Sequence, residues 1–155
     1  MREAIGGSWL FGIVALFIVL FSGFFAYSVN YTKAFNAKNQ IINIIERDGK
    51  FVETDERLEN LSDDQLQSNK STEAKIYLYI KQSGYNTEDV QCDADASLRD
   101  GGYCLSRTCS SSGKPYYKVT TFIKLTIPII DAQINIPISG ETKTLYYDNK
   151  CEKIN

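Results

Sequence analysis

Four cysteines, Cys92, Cys104, Cys109 and Cys151, are the side chains with the most chemistry open to them in this chain of 155 residues. Such thiols form disulfides, hold zinc or act as nucleophilic and redox centres. The spacing speaks against zinc: eleven residues lie between Cys92 and Cys104 and four between Cys104 and Cys109, with no C-x-x-C knuckle and no histidine anywhere in the chain. Without histidine there is also no ordinary base to activate a thiol, no usual general acid–base and no neutral-pH switch. Disulfides suit the surroundings better. From Val90 to Pro115 the chain is rich in turn residues (Asp93, Asp95, Asp100-Gly101-Gly102, Ser110 to Gly113). It reads as an irregular stretch whose ordering entropy is offset by cross-links rather than by hydrophobic burial. Three pairings are open; Cys92–Cys104 with Cys109–Cys151 is the one expected, the second bond pinning the C-terminal tail.

Carboxylates are plentiful but unorganised. The run from Glu53 to Asp64 lacks the spacing of a calcium loop and reads as a solvated face. No carboxylate pair stands out as a catalytic dyad and no glycine-rich phosphate loop occurs. The expectation is a protein without catalytic, cofactor or metal residues, and not an enzyme. With 17 basic and 19 acidic residues the net charge is −2, which gives no field for a nucleic-acid partner.

The element that must position everything else is Trp9 to Tyr31, a stretch with no charged residue. About 20 apolar residues at about 1.5 Å each match the roughly 30 Å hydrocarbon core, and a helix satisfies its own backbone there. Trp9 stands at one end and Tyr27 and Tyr31 at the other, where amphipathic rings favour the headgroups. Small residues recur at alternating steps of four and three, Ser8, Gly12, Ala15, Val19, Ser22 and Ala26, continuing to Val29. Such a seam lets a second helix approach closely. Ala26-Tyr27-Ser28 has the small-residue spacing of a signal-peptidase site, but the apolar run is longer than a signal peptide requires, so a retained anchor is expected.

Orientation is argued from two sides. Arg2 before the helix, against Lys33 and Lys38 after it, weakly favours a cytoplasmic C-terminal domain. Four cysteines in a small histidine-free domain favour an oxidising exterior, and that argument is given more weight. The organisation expected is a short leader or cytoplasmic segment (1–8), a single-pass membrane helix (9–31), an amphipathic extension of it (32–50) and an extracytoplasmic head (51–155).

The extension carries Tyr31, Ala34, Phe35, Lys38, Ile41, Ile42 and Ile45 at helical spacing and contains no Pro or Gly before Asp48-Gly49, the expected stop. In the head, Leu58, Leu61 and Leu66 are the early anchors, Ser62 begins a capping box, and a second helix is expected from Ser71 or Thr72 through Gln82, ended by Gly84. Tyr117, Val119, Thr121, Ile123, Leu125 and Ile127 alternate with Tyr116, Lys118, Thr120, Lys124 and Thr126, the pattern of a half-buried antiparallel strand that Phe122 alone breaks. After a turn marked by Pro128 and Asp131, Ile134, Ile136 and Ile138 form a second strand, with Pro137 marking an edge or bulge. Gly140-Glu141 reads as a further bend, with Thr142, Thr144 and Tyr146 resuming the pairing. The fold class expected is α+β, a long transmembrane-amphipathic helix packed on a small antiparallel sheet.

In this combination the chain resembles type IV pilin-like proteins, and in particular the pseudopilin-like members of tight-adherence (TadE-like) systems. The specific part of the resemblance runs from Met1 to Ile45. Arg2-Glu3 is similar to the acidic residue those proteins place at the start of the helix, and the resemblance implies that Glu3 would neutralise a neighbouring subunit's N-terminal amine. Gly6-Gly7-Ser8 resembles a leader-peptidase site, but cleavage there removes Glu3, so the two readings exclude each other. The resemblance implies a membrane-anchored structural subunit or accessory protein of a pilus-like or type II secretion-like apparatus, with copies of itself or related chains as partners through the N-terminal helix. The alternative is a membrane-tethered extracellular binding module outside any filament, for which Tyr77, Tyr79, Tyr85, Tyr103, Tyr116, Tyr117, Tyr146 and Tyr147 are the candidate contact groups.

Overall fold

A computed structural model describes residues 2–54, 57–85, 87, 90–127, 132–146, 148 and 151. A single helix, α1 (Arg2–Asp48), occupies the first third of the chain. Its 47 residues extend about 70 Å at 1.5 Å per residue. Asp48 ends it because Gly49 takes a left-handed φ of 72° while still donating to the Ile45 carbonyl at 2.9 Å.

The head is built on the outer third of α1. A 3₁₀ turn (Leu58–Asn60) and a short helix α2 (Asp63–Ser68) come first, α2 opened by a capping box between Ser62 and Gln65. Helix α3 (Thr72–Ser83) starts at Ser71, whose hydroxyl accepts from Ala74 N, and ends at left-handed Gly84. Four antiparallel strands follow in simple meander order: β1 (Ser97–Arg99), β2 (Tyr103–Cys109), β3 (Pro115–Ile127) and β4 (Ala132–Glu141). The chain is α+β, a long apolar N-terminal helix packed on a four-stranded antiparallel sheet.

The main core lies between α1, α3 and one face of the sheet. Ala34, Ala37, Ile41, Ile44 and Ile45 of α1 meet Ile76 and Ile80 of α3 and Tyr103, Leu105, Tyr117, Val119 and Ile123 of the sheet. At roughly 1.5–3 kcal/mol for each large aliphatic side chain removed from water, this stripe fixes α1 to the head. Ala34, Lys38, Ile41 and Ile45 of the expected stripe are buried and Ile42 packs against the core, but the contact face is turned somewhat from the expected one. Ala37 and Ile44 belong to it, whereas Tyr31 and Phe35 stay exposed and stack on each other at 6.0 Å, with Lys38 over the Phe35 ring.

Two other departures have clear causes. The stretch from Val90 to Pro115, expected to be irregular, contains the β1–β2 hairpin, closed by a turn in which Gly101 and Gly102 have φ of 98° and 75°. Gly140-Glu141 is not a bend. Both residues belong to β4, and the glycine lets the strand lie close to α1, where a Cβ would come 2.9 Å from the tip of Ile42. Thr142 and Leu145 do continue along β3, donating to the Tyr117 and Pro115 carbonyls, though not as a strand. Pro128 and Asp131, the expected turn markers, lie outside the described residues.

Phe122, the apolar residue on the otherwise polar face of β3, packs with Val90 and Cys104 in a small cluster on the far side of the sheet. Near it β3 outruns β2, whose pairing ends at Cys104–Thr120. There Phe122 N donates to the Tyr85 hydroxyl at 2.9 Å and the Lys124 carbonyl accepts from Asn30 Nδ2 at 2.7 Å. Side chains thus satisfy backbone groups that a strand no longer covers. With Phe122 N turned to Tyr85, Pro137 opposite it on edge strand β4 is not called on to donate.

Candidate functional site

The head meets α1 from Asn30 outward, where Asn30 reaches the Lys124 carbonyl. Every residue from Gly7 to Tyr27 is exposed, including Trp9, Phe11, Leu16, Phe21 and Phe25. Exposed large apolar side chains in so long a continuous surface need a nonaqueous or protein environment. The helix is long and apolar enough to span a membrane. Two of its hydroxyls are bonded within the helix: Ser22 Oγ donates to the Ile18 carbonyl and Thr32 Oγ1 to the Ser28 carbonyl, each at 2.8 Å. Neither hydroxyl therefore opposes burial in lipid.

At about 100° per residue, Ser8, Gly12, Ala15, Val19, Ser22 and Ala26 fall within one narrow sector of α1. Ala37 and Ile44, which pack into the head, lie in the same sector. The small-residue seam is thus continuous with the face that the head covers. Phe17, Phe21 and Phe24 project from the opposite side, Phe17 and Phe21 stacked at 6.0 Å. A Cβ added at Gly12 would meet nothing within 4 Å. Glu3 falls in the first turn of α1, and its side chain lies outside the described residues.

The cysteines form two disulfides, Cys92–Cys104 and Cys109–Cys151. The first ties the approach to β1 onto β2 and forms part of the Phe122 cluster. The second holds the C-terminal tail to the end of β2. Disulfides of this kind belong to oxidising surroundings such as a cell exterior.

Elsewhere in the head, ionisable groups are engaged with each other. Arg99 pairs with Glu53, lies 3.6 Å from Glu73 and sits over the Phe51 ring at 5.2 Å. Glu73 is buried and accepts from Thr54 N at 2.9 Å. Sequence reading missed this pair because Arg99 and Glu73 are ordinary surface residue types far apart in the chain. Beside them Tyr103 is wholly buried, and its hydroxyl has no hydrogen-bond partner among the described residues. Burial, then the neighbouring Glu73 carboxylate, push its ionisation far above the usual tyrosine range. A cleft of about 730 Å³ opens between α3 and the β1–β2 turn, lined by Tyr77, Lys81, Tyr85, Thr87, Arg99 and Asp100. Of its charged lining residues, Lys81 is paired with Asp63 at 2.6 Å and Asp100 accepts weakly from Leu58 N. No group of three or more Asp, Glu or Cys side chains placed to hold a metal occurs among the described residues.

The tyrosines do not form one contact surface. Tyr85, Tyr103 and Tyr117 are core residues, Tyr77 and Tyr79 are half-buried, and Tyr146 is exposed under Lys114 at 3.7 Å. Tyr147 lies outside the described residues.

No family model, curated protein or solved structure matches this chain. Its reading therefore rests on the projecting helix, the seam and the cross-linked head.

Proposed function

We propose that the chain is a non-enzymatic, membrane-anchored structural subunit or accessory protein of a pilus-like or type II secretion-like surface apparatus, its head displayed outside the cell. What carries this reading is the continuity of α1. One unbroken helix is bare and apolar over the Gly7–Tyr27 region and is the buried spine of the head from Ala34 to Ile45. A tether alone needs no such spine, because a flexible linker would connect an anchor to a head. A rigid joint matters when the position of the helix dictates the position of the head, as in an assembly of packed helices. The seam lies under the head-covered face, where a neighbouring helix would meet both the small residues and the underside of the head. The pilin-like layout of helix and sheet supports the same reading.

The discriminating experiment is to replace Ser8–Ala26 by an unrelated apolar helix of equal length. An assembling subunit then no longer copurifies with copies of itself or with partner chains from native membranes, although it remains anchored. A tethered binding module would be indifferent to the exchange.

A further inference from the structure

Resting on the reading that α1 spans a membrane, we propose that the crevice between α1 and β4 binds one anionic phospholipid of the head-side leaflet. Ile42, Lys38, Phe35 and Tyr31 follow one another at steps of four and three, so they form one row down α1. Strand β4 meets the top of that row, where a Cβ on Gly140 would lie 2.9 Å from Ile42 and 3.0 Å from Lys38. Helix and strand then descend together. Ile138, paired with Thr121, is level with Ala34, because Thr121 donates to the Ala34 carbonyl. Asn135, paired with Lys124, is level with Asn30, which donates to the Lys124 carbonyl. Ile136 therefore stands near the height of Tyr31, on the side of the sheet facing α1, since its partner Ile123 lies in the main core. Contact at the top gives way to exposure below: Phe35 and Ile136 are 38% and 37% exposed, Tyr31 and Ile134 42% and 46%. The two rows part and leave an uncovered apolar crevice between helix and strand.

Lys38 gives the crevice its charge. The residue is only 9% exposed, its stem lies against Gly140, and its ammonium sits 4.4 Å from the centre of the Phe35 ring. Among the described residues it forms no ion pair. The next acid along α1, Glu46, accepts from Lys143 N at 2.7 Å. A cation so shielded from water gains more from an anion than a surface lysine does. Height selects the anion. Hydrocarbon takes about 20 residues of the uncharged stretch from Trp9 to Thr32, and Tyr31, an interfacial ring, marks its outer edge. The headgroup layer adds roughly 5–7 Å, or four to five residues of helix. Helical side chains slant towards the N-terminus, which brings the Lys38 ammonium down to the Phe35 ring and into that layer. There it meets lipid phosphate, while Tyr31, Phe35 and Ile136 offer an apolar wall to the first carbons of an acyl chain. The crevice also continues the bare apolar surface of α1, so a lipid reaches it without leaving the membrane. A phospholipid seated there fills the angle between helix and strand and sets the height of the head above the leaflet.

The test reconstitutes the full, oxidised chain in phosphatidylcholine–phosphatidylglycerol vesicles, dissolves them in mild detergent and weighs the intact protein with the lipid it retains. The natural chain is compared with Lys38→Gln, Lys38→Arg, Ile136→Ser and Lys33→Gln. Lys33 is an exposed lysine at similar height whose ammonium lies towards Gly84, on the α3 side of α1. Retained disulfides and unchanged circular dichroism certify each fold, and Ile136→Ser decides the matter if Lys38→Gln does not fold. One phosphatidylglycerol is expected on the natural chain, on Lys38→Arg and on Lys33→Gln. Occupancy should fall about fivefold in Lys38→Gln, the weight of one basic residue at an anionic surface, and should fall in Ile136→Ser as well. Phosphatidylcholine retained as readily as phosphatidylglycerol, or an equal loss in Lys33→Gln, means diffuse attraction and overturns the proposal. So does occupancy that ignores both Lys38 and Ile136. A change in dimer content in place of lipid assigns the crevice to a second copy and overturns it too. Quenching of Trp9, the single tryptophan, by brominated lipid in the same vesicles reports on α1 separately. With Trp9 quenched and no lipid retained, the site falls and the membrane helix stands; with Trp9 unquenched, both fall.

Discussion

Thr121 donates its hydroxyl proton to the Ala34 carbonyl at 2.9 Å, joining the centre of β3 to α1 across 87 residues of sequence. Both residues are fully buried. The bond is of a kind that adds little by itself, because the carbonyl also has its place in the helix ladder; what the pair secures is the closeness of the two elements. Thr121→Val, which keeps the shape and removes both polar partners' claim on each other, should lower stability by about 1 kcal/mol or less. Ala34→Leu forces the strand away from the helix and should cost more, about 1–3 kcal/mol. Urea denaturation of the detergent-solubilised chain, followed by circular dichroism, checks the order; equal losses would mean that the hydrogen bond, not the fit, holds the joint.

That joint marks the boundary of what local pattern can reveal. The long helix was legible because Ile41 and Ile45 repeat at its period with no breaker before Gly49, and Ser62, Ser71 and Gly84 announce their caps within a turn of where they act. β3 was legible because one of its faces alternates cleanly. β2 was not, since Tyr103 and Leu105 face the main core while Cys104 enters the Phe122 cluster, so burial on both faces erases the alternation. Gly140 misled for a related reason. A glycine reads as a bend, but here it makes room for Ile42, a residue nearly a hundred positions away. The seam was legible as a stripe, since spacing alone places Ser8 to Ala26 in one sector. Its alignment with the head-covered face needed the contacts of Ala37 and Ile44, and the Asn30–Lys124 tie has no local signature at all.

The β1–β2 turn offers a sharper test of close approach. Gly102 and Gly113 have nearly the same left-handed φ, 75° and 72°, but a Cβ at Gly102 would lie 2.2 Å from the Thr87 carbonyl oxygen, whereas one at Gly113 meets nothing within 4 Å. Gly113→Ala should therefore cost only the left-handed penalty, about 1–2 kcal/mol. Gly102→Ala adds a backbone collision to that penalty and should exceed about 3 kcal/mol. Thermal unfolding of the two variants side by side separates strain from collision; similar melting temperatures would contradict the packing described.

The disulfides should differ in what their loss releases. Cys109–Cys151 closes a sequence separation of 42 residues and Cys92–Cys104 one of 12. Loop-closure entropy then assigns about 4 kcal/mol to the first and about 3 kcal/mol to the second. The paired substitution Cys109→Ser with Cys151→Ser should also free the tail from the head, and protease digestion should then remove the C-terminal residues first. The Cys92→Ser, Cys104→Ser pair should instead loosen the Phe122 cluster and spare the tail.

Alkaline pH should unfold the head early. Burial, then the hydrogen bond to Asp148, raises Tyr117 from its ordinary value of 10.0 to about 12, and burial raises Tyr85 and Tyr103 as well. A tyrosine that keeps its proton longer when folded contributes stability that is complete below pH 10 and is lost as pH rises, because the unfolded chain releases the proton first. Stability should hold up to about pH 10 and fall between about 10 and 12, with the tyrosinate absorbance of these residues appearing together with unfolding. Tyr117→Phe should flatten part of that fall. A stability that stays level through pH 12 would show that these hydroxyls ionise freely in the folded head.

The seam makes the most direct claim about assembly. Membrane helices gain little from apolar contact as such, since lipid chains supply it equally, so close backbone approach over small residues is what favours one helix over lipid. Gly12→Leu and Ala15→Leu place bulk in the middle of that sector, and Phe17→Leu changes the opposite side while keeping it apolar. Insertion should be the same for all three, because each remains hydrophobic. Association, read by energy transfer between labelled copies in vesicles, should weaken by about tenfold for the seam variants, equivalent to roughly 1.4 kcal/mol, and stay unchanged for Phe17→Leu. If Phe17→Leu weakens association and the seam variants do not, the copies meet through the phenylalanine side, and the head of one subunit then points away from its neighbour instead of lying over it.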